Sequence, residues 1–282
     1  MAPEPLVLRY SAFAATPDGG NPAGVVLDAG GLSDERMLEI AAEVGYSETA
    51  FVVARSTDAP RYRVRYWSPA AEVPFCGHAT VATAVALAER DGAGDIVFDT
   101  DAGAVALHST DDDDLGVTVS FTSVEPQVRD LDPGILAELL RLLGLATSDL
   151  DPRFPPKEVF AGNWHPVVVL EDRELFDQFR FFPADVAALM RAQGWLGTVT
   201  VLHAGSATEF DARNLFPVGR ITEDPATGSA AASVGAYLRD LGHSERRILI
   251  HQGELVRRPS LLTVTIPESG GIEVSGGATR IG

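Results

Sequence analysis

Apolar and polar positions alternate along this chain in two different rhythms, and the same succession of rhythms occurs twice. Short β-branched runs come first, VVL at 25–27 and PVVVL at 166–170. Each is followed by a segment with apolar residues about 3.6 positions apart, Ser33 to Val44 and Pro183 to Gln193, which predicts a helix with one buried face. Ser33 suits the N-cap, with Arg36 where a capping box would place an acid. Strand-like runs follow, TAFVVA at 49–54 and TVTVLHA at 198–204, then RYRVRYWS at 61–68 and EFDARNLF at 209–216, whose alternation gives each strand two different faces. Each half then carries a segment of small residues on every side, Ala79–Ala88 and Ala230–Ala236. A helix that is apolar all round is a buried helix, and small side chains let strands approach it closely. The expected unit is a curved mixed sheet wrapped around a central helix.

Further strands are expected on both sides of that pattern. IVFDT, AVALHS and GVTVSFTS close the first half, and RILIHQ, ELVRR, LLTVTIP and GIEVSGGA follow the second central helix. Another helix is predicted over Pro133–Leu143, after a boundary near Ser123 to Arg129.

Four segments match between the halves in the same order. GNPAGVVL (20–27) pairs with GNWHPVVVL (162–170), GYSETAFVV (45–53) with GWLGTVTVL (194–202), and RYWSP (65–69) with RNLFP (213–217). The stretch from Pro74, PFCGHATVATAVALAERDG, pairs with PATGSAAASVGAYLRDLG from Pro225, where Gly77 matches Gly228 and His78 matches Ser229, 151 residues later. Ordered matches of this kind are the mark of an internal repeat. The expectation is an α+β chain of two pseudo-symmetric lobes, residues 1–126 and 127–271, with a last strand near 272–282 crossing back to the first. The alternative is two unrelated domains of similar composition.

Length and composition agree with two cores. The 282 residues include 45% hydrophobic types, enough apolar material for lobes of roughly 100–150 residues. No apolar run is long enough to span a bilayer, and the first residues lack a basic head followed by an apolar stretch. No membrane association is expected, and a cytoplasmic location is. The single cysteine, Cys76, excludes an internal disulfide and disfavours a cysteine-based zinc site. A net charge of −18 repels phosphate backbones and argues against nucleic-acid partners. Asp111 to Asp114 read as a solvated hairpin loop rather than a metal site. Lys157, the one lysine, sits among prolines and reads as a loop residue, a poor anchor for pyridoxal phosphate. Phosphate-loop, dinucleotide, HExxH and GxSxG motifs are absent. No metal and no organic cofactor are expected.

Candidate chemistry gathers at the two central helix starts. Both begin at a glycine, Gly77 and Gly228. A helix start offers unpaired N–H groups and a positive dipole end, suited to a carboxylate. Ordinary capping by Thr227 or Ser229 is the alternative. Glu48 opens a strand in SETAFVV and aligns with Gly197; Asp224 precedes the second helix and aligns with Val73. Each half thus carries a carboxylate that the other lacks. That asymmetry points to chemistry in a groove between the lobes rather than to folding. His78, in the first turn of a buried helix, is the remaining titratable group.

The motifs GNPAGVV (20–26), SETAFV (47–52), CGHAT (76–80), EDPATGSAA (223–231) and QGELVRRPS (252–260) together resemble the PhzF-like phenazine-biosynthesis isomerases, a family of the diaminopimelate epimerase fold. The resemblance implies a homodimer with two lobes and no cofactor. It implies Glu48 as acid/base, with His78 and Asp224 in the catalytic set. Asn21, Gly77, Ala79, Gly228 and Ser229 would bind a small carboxylate-bearing substrate. A family reaction of this type converts dihydro-hydroxyanthranilate into a ketone. Diaminopimelate epimerases carry a cysteine at each central helix start, whereas this chain has Cys76 and Thr227, which disfavours inversion by a thiol pair. The resemblance implies a less charged middle in QGELVRRPS, and Val256 and Arg257 there bear on substrate choice. An amino-acid racemase and a non-catalytic small-acid-binding protein are the other functional classes.

Overall fold

The structure, a computed structural model, describes residues 4–112, 116–219 and 221–282. It divides into two compact units, one reaching to Thr122 and joined by Ser275–Gly282, the other Ser123–Val274. The chain is α+β, and its sheets are mixed.

In the first unit β1 (Leu8–Ala12) runs antiparallel to β2 (Asn21–Val26). Helix α1 (Asp34–Val44) then leads to β3 (Glu48–Arg55), which lies parallel to β2. Ser33 caps α1 by accepting the Arg36 N–H, and Gly45 ends it in the left-handed conformation. Strand β4 (Arg61–Trp67) pairs antiparallel with β3 and with the two-residue β5 (Glu72–Val73). Helix α2 (Gly77–Asp91) follows. Then β6 (Asp95–Thr100) lies parallel to β4, and β7 (Gly103–Asp112) and β8 (Gly116–Thr122) complete a meander.

The second unit opens with β9 (Gln127–Asp130), α3 (Pro133–Leu143) and β10 (Lys157–Phe160), which pairs with both β9 and β11 (Trp164–Leu170). After α4 (Arg173–Gln178) and α5 (Pro183–Gln193), β12 (Val199–Ala204) lies parallel to β11. Strand β13 (Glu209–Leu215) pairs with β12 and with the two-residue β14 (Glu223–Asp224). Helix α6 (Gly228–Asp240) precedes β15 (Arg247–Gln252), which is parallel to β13, and β16 (Ser260–Thr265). The pairing scheme of β1–β6 thus recurs in β10–β15. The last strand, β17 (Glu273–Arg280), starts in the second unit and pairs in the first with β1.

Both central helices are buried around their circumference. In α2 every residue from His78 to Ala88 is buried, and in α6 every residue from Ala230 to Leu238. A ring of Leu or Phe would hold the enclosing strands away; alanine, serine, threonine and glycine let them close in. Gly235 shows how tight the fit is, since a Cβ there would lie 2.7 Å from Ile272 Cγ2 and 2.8 Å from Val264 Cγ1. Larger side chains pack outside this layer. Leu139, Leu140, Leu143, Met190 and Trp195 form the outer core of the second unit, and Met37, Ile40 and Phe51 that of the first.

An arginine–glutamate pair anchors the short strand ahead of each central helix. Arg65 holds Glu72 at 2.5 and 2.7 Å, and Arg213 holds Glu223 at 3.3 and 2.6 Å. Arg213 also donates to the carbonyls of Phe176 and Phe179, so every nitrogen of a nearly enclosed guanidinium is hydrogen-bonded.

Three expectations need correction. ELVRR is not a strand. Glu254–Val256 form a 3-10 turn between left-handed Gly253 and Arg257. Gln252 pairs with Ser260, so the intervening residues must reverse the chain. A side chain on Gly253 would strike the Arg258 carbonyl at 2.3 Å. Lys157 is the first residue of β10 rather than a loop residue, and its Nζ lies 2.7 Å from Asp130 on the neighbouring strand. Of the acidic run, Asp111 and Asp112 extend β7, while Asp113 and Asp114 lie outside the described residues.

Gly235→Val tests the packing of α6. It should lower stability by about 1–3 kcal/mol through overpacking, read as a lower urea midpoint with an unchanged slope.

Candidate active site

In the first unit three side chains of different chemistry meet at the start of α2. Glu48 is the first residue of β3 and pairs with Ala23 of β2. Cys76 occupies the N-cap in extended backbone, but its side chain makes no capping bond. The thiol instead donates to Glu48 Oε2 at 3.4 Å and lies 3.3 Å from His78 Nδ1. His78 Nε2 is 3.5 Å from Glu48 Oε2 and 3.4 Å from Ser47 Oγ. His78 is 7% exposed and Glu48 20%, so the carboxylate is the member of the group that reaches solvent. Behind it the Tyr66 hydroxyl and Thr80 Oγ1 lie 2.6 Å apart, and Thr80 Oγ1 donates to the Cys76 carbonyl at 2.8 Å. That chain of bonds fixes the helix start against β4.

This arrangement suits proton transfer. The carboxylate has a thiol and an imidazole to orient it and one open side from which to reach a carbon acid. The donor atoms of Glu48, Cys76 and His78 also lie within 4.8 Å of one another. Carboxylate, thiolate and imidazole together match the donor preferences of zinc, so the same three groups offer an adventitious ion a foothold.

The other residues expected in the first unit belong to β2 and α2. Gly77 is the first residue of α2 and is half-buried. Asn21 opens β2 at 2% exposure, and Ala79 is wholly enclosed at 0%, leaving it no surface to offer a ligand in this conformation.

The second unit builds a different cluster on the same frame. Thr227 is the N-cap of α6 and makes no side-chain cap, so neither it nor Ser229 plays the ordinary capping role. Thr227 Oγ1 donates instead to Asp224 Oδ2 at 2.5 Å. The Gln252 amide braces this corner: Nε2 donates to the Asp224 carbonyl at 2.6 Å and to Thr227 Oγ1 at 3.0 Å, and Oε1 accepts the Thr227 N–H at 3.3 Å. Gly228 is buried, whereas Ser229 is half-exposed.

Strand register corrects one alignment. Arg65 lies opposite Phe51 and Arg213 opposite Val201, so matching the two arginines makes Glu48 equivalent to Thr198, not to Gly197. A bulge between Val52 and Ala54 shifts the spacing in one copy only. The same register places Asp224 opposite Asn214 and Val73 opposite Tyr66, which keeps Asp224 and Val73 equivalent.

His165 was not singled out by its motif. It lies in β11 at 0% exposure, with Nε2 3.1 Å from Ser229 Oγ and Nδ1 3.0 Å from the Thr198 amide nitrogen, which donates to it. Burial pushes its pKa from the ordinary 6.5 down to about 4, so the ring is neutral near pH 7. Gly197 is shaped around it: a Cβ there would sit 2.5 Å from His165 Cε1. The available clue was a lone imidazole in an otherwise apolar strand, WHPVVVL.

Comparison with known proteins identifies a family. The family model described as "Phenazine biosynthesis-like protein" matches residues 10–281. The Bacillus subtilis protein YfhB, named an uncharacterized isomerase, is 30% identical over 94% of this chain and 92% of its own length. A Bacillus anthracis phenazine biosynthesis protein of the PhzF family superposes with a TM-score of 0.84 at 27% identity, covering 98% of this chain and 96% of that one. The structure of a predicted epimerase from Pseudomonas aeruginosa also superposes at 0.84, with 25% identity and coverage of 99% and 98%. The chain belongs to the phenazine biosynthesis-like family of isomerases. Among the described residues no helix is long and apolar enough to cross a membrane.

His165 gives a pH-dependent stability with a defined sign. Its folded pKa lies below its unfolded value, so its contribution is complete above pH 6.5 and is lost as pH falls toward about 4. Denaturation of wild type and His165→Gln at pH 7, 5.5 and 4 should show the difference between them shrinking by on the order of 3 kcal/mol.

Proposed function

We propose that this isomerase moves a proton, and with it a double bond, within a small carboxylate-bearing metabolite, using Glu48 as the single acid/base and no cofactor. Glu48 takes a proton from a carbon made acidic by a conjugated carboxylate or enamine. It then returns that proton to another carbon of the same molecule. The charge that develops meanwhile is stabilised by the first-turn N–H groups of α2 and by His78. In this reading Asn21 and Gly77 contact substrate, as do Gly228 and Ser229, which take its carboxylate. Asp224, oriented by Thr227, holds a substrate amino or hydroxyl group. A dihydro-hydroxyanthranilate, the substrate of the resembling family reaction, fits this description. The recurring strand pairing supports reading the two units as pseudo-symmetric lobes of diaminopimelate epimerase type. A homodimer in the cytoplasm remains part of the proposal.

One observation carries the choice of a one-base shift. Glu48 has the half-exposed carboxylate, and its equivalent in the second unit is Thr198, which has no basic group and donates its hydroxyl proton to Asn214. The equivalent of Cys76 is Thr227. Stereochemical inversion needs an acid and a base on opposite faces of the carbon. A shift on one face needs one group.

The second reading, a racemase or epimerase, draws on the contact between the Cys76 thiol and Glu48, which would let the thiol act as an acid. Reaction in deuterated water separates the two. A shift relocates a double bond, whereas racemisation places deuterium at one inverted stereocentre. A protein that only binds small acids would bind the same compounds with no hydrogen exchange.

Glu48→Gln should lower turnover of a dihydro-hydroxyanthranilate by about 10²–10⁴-fold or more while binding, measured by calorimetry, changes little. Turnover equal to wild type would end the proposal. Chelation with EDTA should leave the rate unchanged, and added zinc should inhibit by capturing Glu48, Cys76 and His78. Loss of activity on chelation would make the metal, rather than the free carboxylate, the working group.

A further inference from the structure

We propose that His165 is a positioning residue that holds the Ser229 hydroxyl as a hydrogen-bond donor toward the substrate carboxylate. The proposal rests on the reading that Ser229 binds that carboxylate, and it assigns a role to a buried histidine outside the Glu48 centre.

The argument is a count of donors. The buried imidazole faces Ser229 Oγ through Nε2 at 3.1 Å and Thr198 through Nδ1. Around Nδ1 stand the Thr198 N–H at 3.0 Å, the Thr198 carbonyl at 3.1 Å and Thr198 Oγ1 at 3.0 Å. The Oγ1 proton is committed to Asn214 Oδ1 at 2.7 Å. With the ring proton on Nδ1, the Thr198 N–H loses its acceptor in a dry interior. With the proton on Nε2, the Thr198 N–H is accepted by Nδ1, and the ring N–H is accepted by Ser229. A buried carbonyl tolerates an unused lone pair better than a buried N–H tolerates having no acceptor. The Nε2–H form therefore satisfies every donor.

Ser229 then receives a hydrogen bond from behind and must send its own proton forward. A free serine hydroxyl rotates among acceptors; one pinned by a ring N–H has its donor direction set. The ring itself cannot swing away. It is fully enclosed, it packs where Gly197 lacks a Cβ, and it is anchored through Thr198 to Asn214, which also accepts from Thr200 Oγ1 at 2.8 Å. Ser229 lies in the first turn of α6, so its hydroxyl proton joins the positive end of that helix. In the first unit the equivalent of His165 is Ala23, by the pairing of Ala23 with Glu48, and no such hydroxyl is needed where His78 replaces serine.

The test uses the full-length protein, with benzoate as the carboxylate probe. Histidine ¹⁵N spectra of the ligand-free wild type should show His165 protonated on Nε2 and bare on Nδ1; the reverse would overturn the proposal. Benzoate should shift the Gly228 and Ser229 backbone amides. Ser229→Ala and His165→Phe should each weaken this binding about tenfold, while His165→Gln, whose amide N–H replaces Nε2–H, should recover most of it. Loss in Ser229→Ala with wild-type binding in His165→Phe would sink the positioning role and leave the carboxylate reading standing. Wild-type binding in Ser229→Ala, or no response of the wild type to benzoate, would remove the carboxylate reading itself. The ¹⁵N measurement stands whether or not the variants fold.

Discussion

Enclosure of a helix on every side is a demanding arrangement, because each strand must come within contact distance of a cylinder that already carries side chains in all directions. Both central helices meet the demand with mostly small side chains, their bulkier buried residues, Leu87, Tyr237 and Leu238, lying toward the C-terminal ends. Once the strands have closed in, the helix starts have little freedom. Each is delivered by a two-residue strand pinned through an arginine–glutamate pair, and each begins without a side-chain cap. The first-turn amides and the groups beside them are thereby left for another use. The placement of polar groups in both units depends on this packing, since a helix pushed outward by even one methyl group would carry those groups with it.

On that common frame the two units differ at the positions that matter for chemistry. The first has Ala23, Glu48, Cys76 and His78, a carboxylate with a thiol and an imidazole beside it. The second has His165, Thr198 and Ser229, two hydroxyls beside a neutral, enclosed imidazole, and Thr227 bonded to the Asp224 carboxylate. One set has a carboxylate that reaches solvent. The other sets its hydroxyls beside the Asp224 carboxylate and the His165 ring. The two copies therefore place different chemical groups on equivalent positions of one frame.

Much of this was legible in the residue pattern. Pro133–Leu143 and Pro183–Gln193 are helices with the bounds their periodicity suggests, Ser33 caps α1, and RILIHQ is a strand from end to end. Glu48 and His78 were both visible as candidates, because a carboxylate at a strand start and a histidine in a small-residue helix are conspicuous against apolar neighbours. ELVRR misled because its alternation is strand-like, whereas the reversal between β15 and β16 is imposed by a pairing partner several residues away. The motifs align Glu48 with Gly197 because a one-residue bulge leaves no mark in composition. His165 is inconspicuous in the sequence because an apolar strand tells nothing about which helix start its one polar ring will face.

Local pattern, then, determined the elements, their order and their repetition, since periodicity and the bulk of side chains act over a few residues and are written directly in the chain. Which polar groups meet was decided by tertiary structure alone. Cys76 reaches Glu48 across 28 positions, and His165 reaches Ser229 across 64. Contacts of that span depend on strand register and on how closely the sheet approaches the helix, and a shift of one residue in either would turn the same side chains to opposite faces.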